Sequence, residues 1–152
     1  MNAVTAVLAD HIEGVAHVGF VVEDLEAAVA EAVRVYGLDP AAVEYQPAPG
    51  EDAATRFAFF SVAGQTFEYI EPVAEVFREL LLGSASGAGG INHMAWTVRD
   101  LPGALALLAD QGILPGHVTP DGMITMGQRR MVYLDPATTG GLLIELLETV
   151  EA

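Results

Sequence analysis

The chain repeats itself, and a repeat restricts a fold strongly because it marks positions built to be structurally equivalent. The segment His17-Val-Gly-Phe-Val-Val-Glu-Asp-Leu-Glu-Ala-Ala-Val29 matches His93-Met-Ala-Trp-Thr-Val-Arg-Asp-Leu-Pro-Gly-Ala-Leu105 at an offset of 76 residues. Phe67-Glu-Tyr-Ile-Glu71 matches Ile144-Glu-Leu-Leu-Glu148 at an offset of 77. Two matches in nearly the same register point to two similar halves within 152 residues. That length suits one domain sharing a core and is too short for several independent domains.

Each half reads as strand, helix, three strands. Residues 15–22 and 91–98 are short and rich in β-branched and aromatic types, which predicts strands. Asp24 and Asp100 are suited to cap the helices that follow, and Gly37 and Gly112 sit where a left-handed residue would end them. A weak strand is predicted near 42–47 and, in the second half, near 115–119. Stronger hairpins follow at 56–62 with 66–71 and at 129–134 with 142–148. Module one therefore spans 15–72, the linker 73–89 and module two 90–148. Ala74 to Leu82 reads as a linking helix and Gly83 to Gly90 as a flexible connector.

Composition removes many alternatives. There is no cysteine, so thiolate metal sites, disulfides and cysteine nucleophiles are excluded, and a metal must sit on His, Asp or Glu. The formal charge is −15, with 21 acidic residues against six arginines and no lysine, so nucleic acid is not an expected partner. No stretch approaches the ~20 apolar residues of a membrane-spanning helix, and the N-terminus lacks the basic start of a secretory signal. A soluble, cytoplasmic protein is expected.

A single histidine in an apolar strand is more often a hydrogen-bonded core residue than a ligand. The repeat changes this balance. Each half places a His on its first strand and a Glu on its last, so packing of the halves about a pseudo-twofold axis predicts that His17, Glu68, His93 and Glu145 meet. Burying two carboxylates and two imidazoles without a cation costs several kcal/mol per charged group, and a divalent ion would supply the missing charge. Residues two apart on a strand share a face, so Gly19 lies beside His17 and Ala95 beside His93; small neighbours leave room for a metal and a substrate. His11 and His117 have no repeat partner and read as surface residues or supports behind the ligands. Arg129 and Arg130 are candidates for binding a carboxylate or phosphate, with solvated edge charges as the plain alternative.

This pattern resembles the vicinal oxygen chelate superfamily, which includes glyoxalase I, methylmalonyl-CoA epimerase, extradiol dioxygenases and metal-free antibiotic-binding proteins. The resemblance covers residues 15–148. It implies an α+β fold in which two βαβββ modules form an open, barrel-like mixed sheet around a metal site. Gly90-Ile-Asn-His-Met-Ala-Trp96 and Asp135-Pro-Ala-Thr-Thr-Gly-Gly-Leu-Leu-Ile-Glu-Leu146 are most similar to the methylmalonyl-CoA epimerases within it. By that resemblance His17, Glu68, His93 and Glu145 take four ligand positions, and Glu145 is also an acid/base group. The epimerases carry a second catalytic glutamate whose surrounding pattern is not cleanly present here; Glu51 and Asp52 are the nearest candidates.

The expected activity is proton abstraction next to a metal-chelated carbonyl, with an acyl-CoA thioester such as methylmalonyl-CoA as substrate. A glyoxalase I-like lyase, Fe(II) ring-cleavage chemistry and a non-catalytic resistance-type binder are the alternatives. Zn, Ni, Co, Mn and Fe all suit the ligand set. A homodimer is the expected assembly.

Overall fold

Alternation along the first strand decides which residues face the site. From His17 onward, His17, Gly19 and Val21 are buried while Val18 and Phe20 on the opposite face are half-exposed. The computed structural model describes residues 4–82, 90–116, 119 and 121–150. In chain order the elements are α1 (Val4–Val7), β1 (Ile12–Val21), α2 (Leu25–Tyr36), β2 (Glu44–Gln46), β3 (Thr55–Val62), β4 (Gln65–Pro72), α3 (Glu75–Leu82), β5 (Ile91–Val98), α4 (Leu101–Ala109), β6 (Ile124–Met126), β7 (Arg129–Tyr133) and β8 (Ile144–Thr149). The strands form mixed sheets in the order β2-β3-β4-β1 in the first module and β5-β8-β7-β6 in the second. The α+β class and the paired βαβββ pattern agree with the sequence expectation.

The two modules share one wiring. In the first, β1 pairs parallel with β4, aligning Gly19 with Glu68. In the second, β5 pairs parallel with β8, aligning Ala95 with Glu145. Both helices are built alike. Asp24 accepts a bond from the Ala27 amide at 2.8 Å, and Asp100 accepts one from Gly103 at 3.2 Å, each satisfying an amide that the first helical turn cannot. At the other ends Gly37 (φ 66°) and Gly112 (φ 73°) take the left-handed conformation. This returns the amides of Leu38 and Ile113 to the carbonyls of Val33 and Leu108.

The chain divides into two compact units, His17–Asn92 on one side and His93 onward together with the N-terminal segment through Ala16 on the other. The N-terminal segment belongs with the second module because its apolar residues are buried there. Val4 and Leu8 join Leu101, Ala104 and Leu108 of α4 and Val98, Val132 and Leu146 of the sheet in one core. His11, read from the sequence as a surface residue or a support, faces the Arg99 carbonyl through Nδ1 at 3.0 Å, and the Arg99 amide donates to the His11 carbonyl at 2.9 Å. This pairing explains why β1 starts at Ile12, three residues earlier than predicted. In the other unit Leu25, Val29 and Ala32 of α2 pack on Val43, Ala58 and Phe60.

The predicted strand near 115–119 differs. Pro115 makes only an isolated bridge to Leu134, and the second strand of module two forms later, at Ile124–Met126. Proline lacks the amide a ladder requires, and Thr119 turns its buried hydroxyl to the backbone instead. Thr119 Oγ1 accepts from the Tyr133 amide at 2.7 Å and lies 3.1 Å from the Tyr133 carbonyl. The predicted connector at 83–90 falls almost wholly outside the described residues, as does His117.

Candidate metal centre

Each module contributes a buried His–Glu pair. In the first, β1 supplies His17 and β4 supplies Glu68, whose carboxylate Oε2 lies 3.2 Å from His17 Nε2. In the second, β5 supplies His93 and β8 supplies Glu145, with Oε2 3.0 Å from His93 Nε2. The matching registers place each Glu beside its small residue, Gly19 or Ala95, two positions along from the histidine. Burial is nearly complete: His17 and Glu68 are each 7% exposed, His93 1% and Glu145 3%. Alternation holds each pair on one face of its module's strands, while α2 and α4 pack on the other; α3 meets the donor side of the first module, with Leu81 against Val21, Ile70 and Phe57.

An aromatic ring stands beside each pair, a feature the sequence reading missed. Phe59 is aligned with Glu68 across the β3–β4 hairpin, and Tyr133 with Glu145 across β7–β8. Their rings approach the imidazoles edge-on, with centroids 6.3 Å apart for His17 and Phe59 and 5.3 Å for His93 and Tyr133. Such T-shaped contacts hold a ring in one orientation. The Thr119 hydroxyl holds the Tyr133 backbone in turn.

The donor chemistry suits a divalent cation. Each pair, His17 with Glu68 and His93 with Glu145, is buried and offers an imidazole nitrogen and a carboxylate oxygen competent to ligate a metal ion. Two imidazole nitrogens and two carboxylate oxygens are borderline-to-hard donors, fitting a first-row transition metal. A cation would also compensate two carboxylates buried at substantial desolvation cost.

The remaining sequence candidates fall elsewhere. Glu51 and Asp52 lie in the exposed loop between β2 and β3. Register singles out a different carboxylate. Glu44 is aligned with Phe59, and Phe59 with Glu68, so Glu44 projects from the same sheet face as the metal-competent pair. Two inter-strand spacings separate the backbones of Glu44 and Glu68, about 10 Å. Tyr45 packs into the helix-side core, as alternation requires of Glu44's neighbour. Arg129 and Arg130 separate in the same way. Arg130 turns from the donor face and meets Glu148 at 3.5 Å, whereas Arg129 shares the face of Tyr133 and Glu145.

The sequence profile of the Glyoxalase/Bleomycin resistance protein/Dioxygenase superfamily matches residues 16–130, most of the chain. The chain belongs to this superfamily. Among its relatives, an ethylmalonyl-CoA/methylmalonyl-CoA epimerase of Cereibacter sphaeroides is 27% identical over 132 residues, covering 86% of this chain and 93% of the relative. The crystal structure of methylmalonyl-CoA epimerase from Mycobacterium tuberculosis superposes with a TM-score of 0.71 at 24% identity, covering 92% of this chain and 90% of that one. A Streptomyces coelicolor methylmalonyl-CoA epimerase variant, in complex with 2-nitronate-propionyl-CoA, superposes with a TM-score of 0.66 at 22% identity over 92% of this chain and 99% of that one. These likenesses agree with the superfamily fold. Among the described residues, no helix is long and apolar enough to cross a membrane.

Proposed function

We propose that this superfamily member is a divalent-metal-dependent epimerase that removes and returns the proton α to the thioester carbonyl of a 2-substituted acyl-CoA, with methylmalonyl-CoA the first substrate to test. The observation carrying this reading is the duplicated buried His–Glu pair, with a further carboxylate, Glu44, on the donor face. The epimerase relatives support the substrate class.

In this reading His17, Glu68, His93 and Glu145 hold one ion between them. When bound, the ion supplies Lewis-acid stabilisation for negative charge on a chelated carbonyl oxygen. Epimerisation also needs proton-transfer groups on both sides of the α-carbon. Glu145 takes one side. Its carboxylate receives the α-proton as the C–H bond breaks and the electron pair delocalises towards the thioester oxygen. Glu44, exposed at the edge strand, takes the other side and delivers a proton to the opposite face. The reverse sequence uses the same two groups with their roles exchanged. Phe59 and Tyr133 limit water around the imidazoles and keep them oriented.

The test is exchange of the substrate α-hydrogen in deuterated water, followed by mass spectrometry with the two epimers supplied separately. The wild-type protein is expected to exchange and interconvert both. Glu44→Gln is expected to lower interconversion about 100-fold, the scale of one general acid–base group, while exchange of one epimer persists through Glu145. Equal interconversion in the variant would remove Glu44 from the mechanism. Turnover of a methylglyoxal–glutathione adduct alone would transfer the chain to glyoxalase chemistry.

A further inference from the structure

We propose that Arg129 is an anion-binding subsite for the phosphorylated end of the substrate's thiol carrier, at the open end of an apolar lane leading from the His93–Glu145 pair. This rests on the acyl-CoA reading above and adds how the carrier is recognised.

Register defines the lane. On β7, Tyr133, Met131 and Arg129 share the face of Glu145, because Tyr133 is aligned with Glu145, Met131 with Leu147 and Arg129 with Thr149. On the other side β6 places Ile124 beside Met131 and Met126 beside Arg129. Exposure rises along the lane, from buried Tyr133 through half-buried Met131 to exposed Arg129. Ile124 and Met126 are 39% and 56% exposed, so the lane carries apolar surface that no described neighbour covers. Four residue steps along an extended strand separate Arg129 from Tyr133, about 13 Å. A ligand using this lane has polar oxygens at the buried end, an uncharged flexible middle and an anion at the far end. A phosphopantetheine-type thioester has that order of parts.

Charge makes the position selective. A polyanionic carrier meets a chain of net charge −15 and is repelled wherever no cation intervenes. Most of the six arginines are engaged. Arg34 pairs with Glu31 and Arg99 with Glu13. Arg56 holds Glu26 and Glu71, and its hydrogen bond keeps the Glu26 carboxyl below its ordinary range. Arg130 faces Glu148 on the opposite side of the sheet. Among the described residues neither Arg78 of α3 nor Arg129 makes an ion pair, and of the two it is Arg129 whose register places it on the face of the His93–Glu145 pair. A guanidinium is also the side chain best matched to phosphate oxygens.

The experiment compares wild type, Arg129→Gln and Arg130→Gln in two measurements. The first is the dissociation constant of free CoA, by calorimetry on the metal-loaded protein, which requires no turnover. The second is the KM of methylmalonyl-CoA relative to that of its N-acetylcysteamine thioester, which lacks every phosphate. Arg129→Gln is expected to weaken CoA binding about tenfold and to shrink the KM advantage of the CoA ester by a similar factor, with Arg130→Gln leaving both quantities as in wild type. Raising salt should weaken CoA binding by wild type more steeply than by Arg129→Gln. Equal CoA affinity in wild type and Arg129→Gln, or no CoA binding by wild type, overturns the subsite. Absence of α-hydrogen exchange on the truncated thioester by wild type defeats the epimerase reading separately, because that substrate does not involve Arg129.

Discussion

Glu145→Gln is expected to lower α-hydrogen exchange on methylmalonyl-CoA by 100-fold or more, on the order of one general acid–base contribution, while the protein keeps its fold and much of its metal. The substitution is nearly isosteric and retains an oxygen where Glu145 faces His93, but an amide does not accept a proton at neutral pH. Glu145 is 3% exposed, so bulk water has little access with which to replace it. The loss should appear in kcat more than in KM, since the group acts as the proton moves. The same substitution at Glu68 keeps a donor oxygen and removes no proton acceptor assigned to the reaction. It should therefore weaken metal binding more than it slows the metal-saturated enzyme. Comparable kcat losses for both variants at saturating metal would show that Glu145 acts only as a ligand.

His93→Ala is the second large effect. Removing one imidazole from a four-donor site is expected to lower metal affinity on the order of 100-fold or more, beyond the change typical of a lost supporting hydrogen bond. A ligand that binds only the folded state stabilises it by RT ln(1 + [L]/Kd), about 2.7 kcal/mol when present at 100 times Kd. Wild-type protein should therefore gain a clear rise in melting temperature on adding Co(II) or Zn(II). His93→Ala should lose most of that rise at the same metal concentration. Its metal-free form should remain folded, because the principal core of its unit, built on Leu101, Leu108 and Leu146, lies on the other sheet face. An unchanged metal-induced rise in the variant would make His93 structural.

The sequence exposed the His–Glu pairs because both members recur at nearly one offset, and strand alternation then set their faces. It did not expose Phe59 and Tyr133, although they occupy corresponding places. Phe59 precedes Glu68 by nine residues and Tyr133 precedes Glu145 by twelve. The first hairpin turns through Ala63 and Gly64, whereas the second inserts a 3-10 turn at Pro136–Thr138, so a fixed-offset search loses the correspondence. What relates the two rings is cross-strand pairing, Phe59 with Glu68 and Tyr133 with Glu145, and that register follows only once the hairpins are folded. Glu44 was hidden for another reason. A strand of three residues has too little alternation to assign a face, and only pairing with Phe59 orients it. Proximity in sequence pointed to Glu51 and Asp52, which the structure leaves in an exposed loop. The displaced second strand of module two follows from Pro115 and the buried Thr119 hydroxyl, both of which divert backbone groups from a ladder. Docking of the N-terminal segment on α4 depends on long-range burial of Val4 and Leu8, which no local pattern encodes.

The central claim is that the two pairs share a single ion, and the stoichiometry of tightly bound metal tests it most directly. Protein stripped with a chelator, titrated with Co(II) or Zn(II) and analysed after removal of free metal should hold about one ion per chain. His17→Ala and His93→Ala should each lose it, although one histidine lies on β1 and the other on β5. Two ions per chain, each abolished by only one of the substitutions, would show that the pairs are separate sites and contradict the account, as would a folded wild-type chain that retains none.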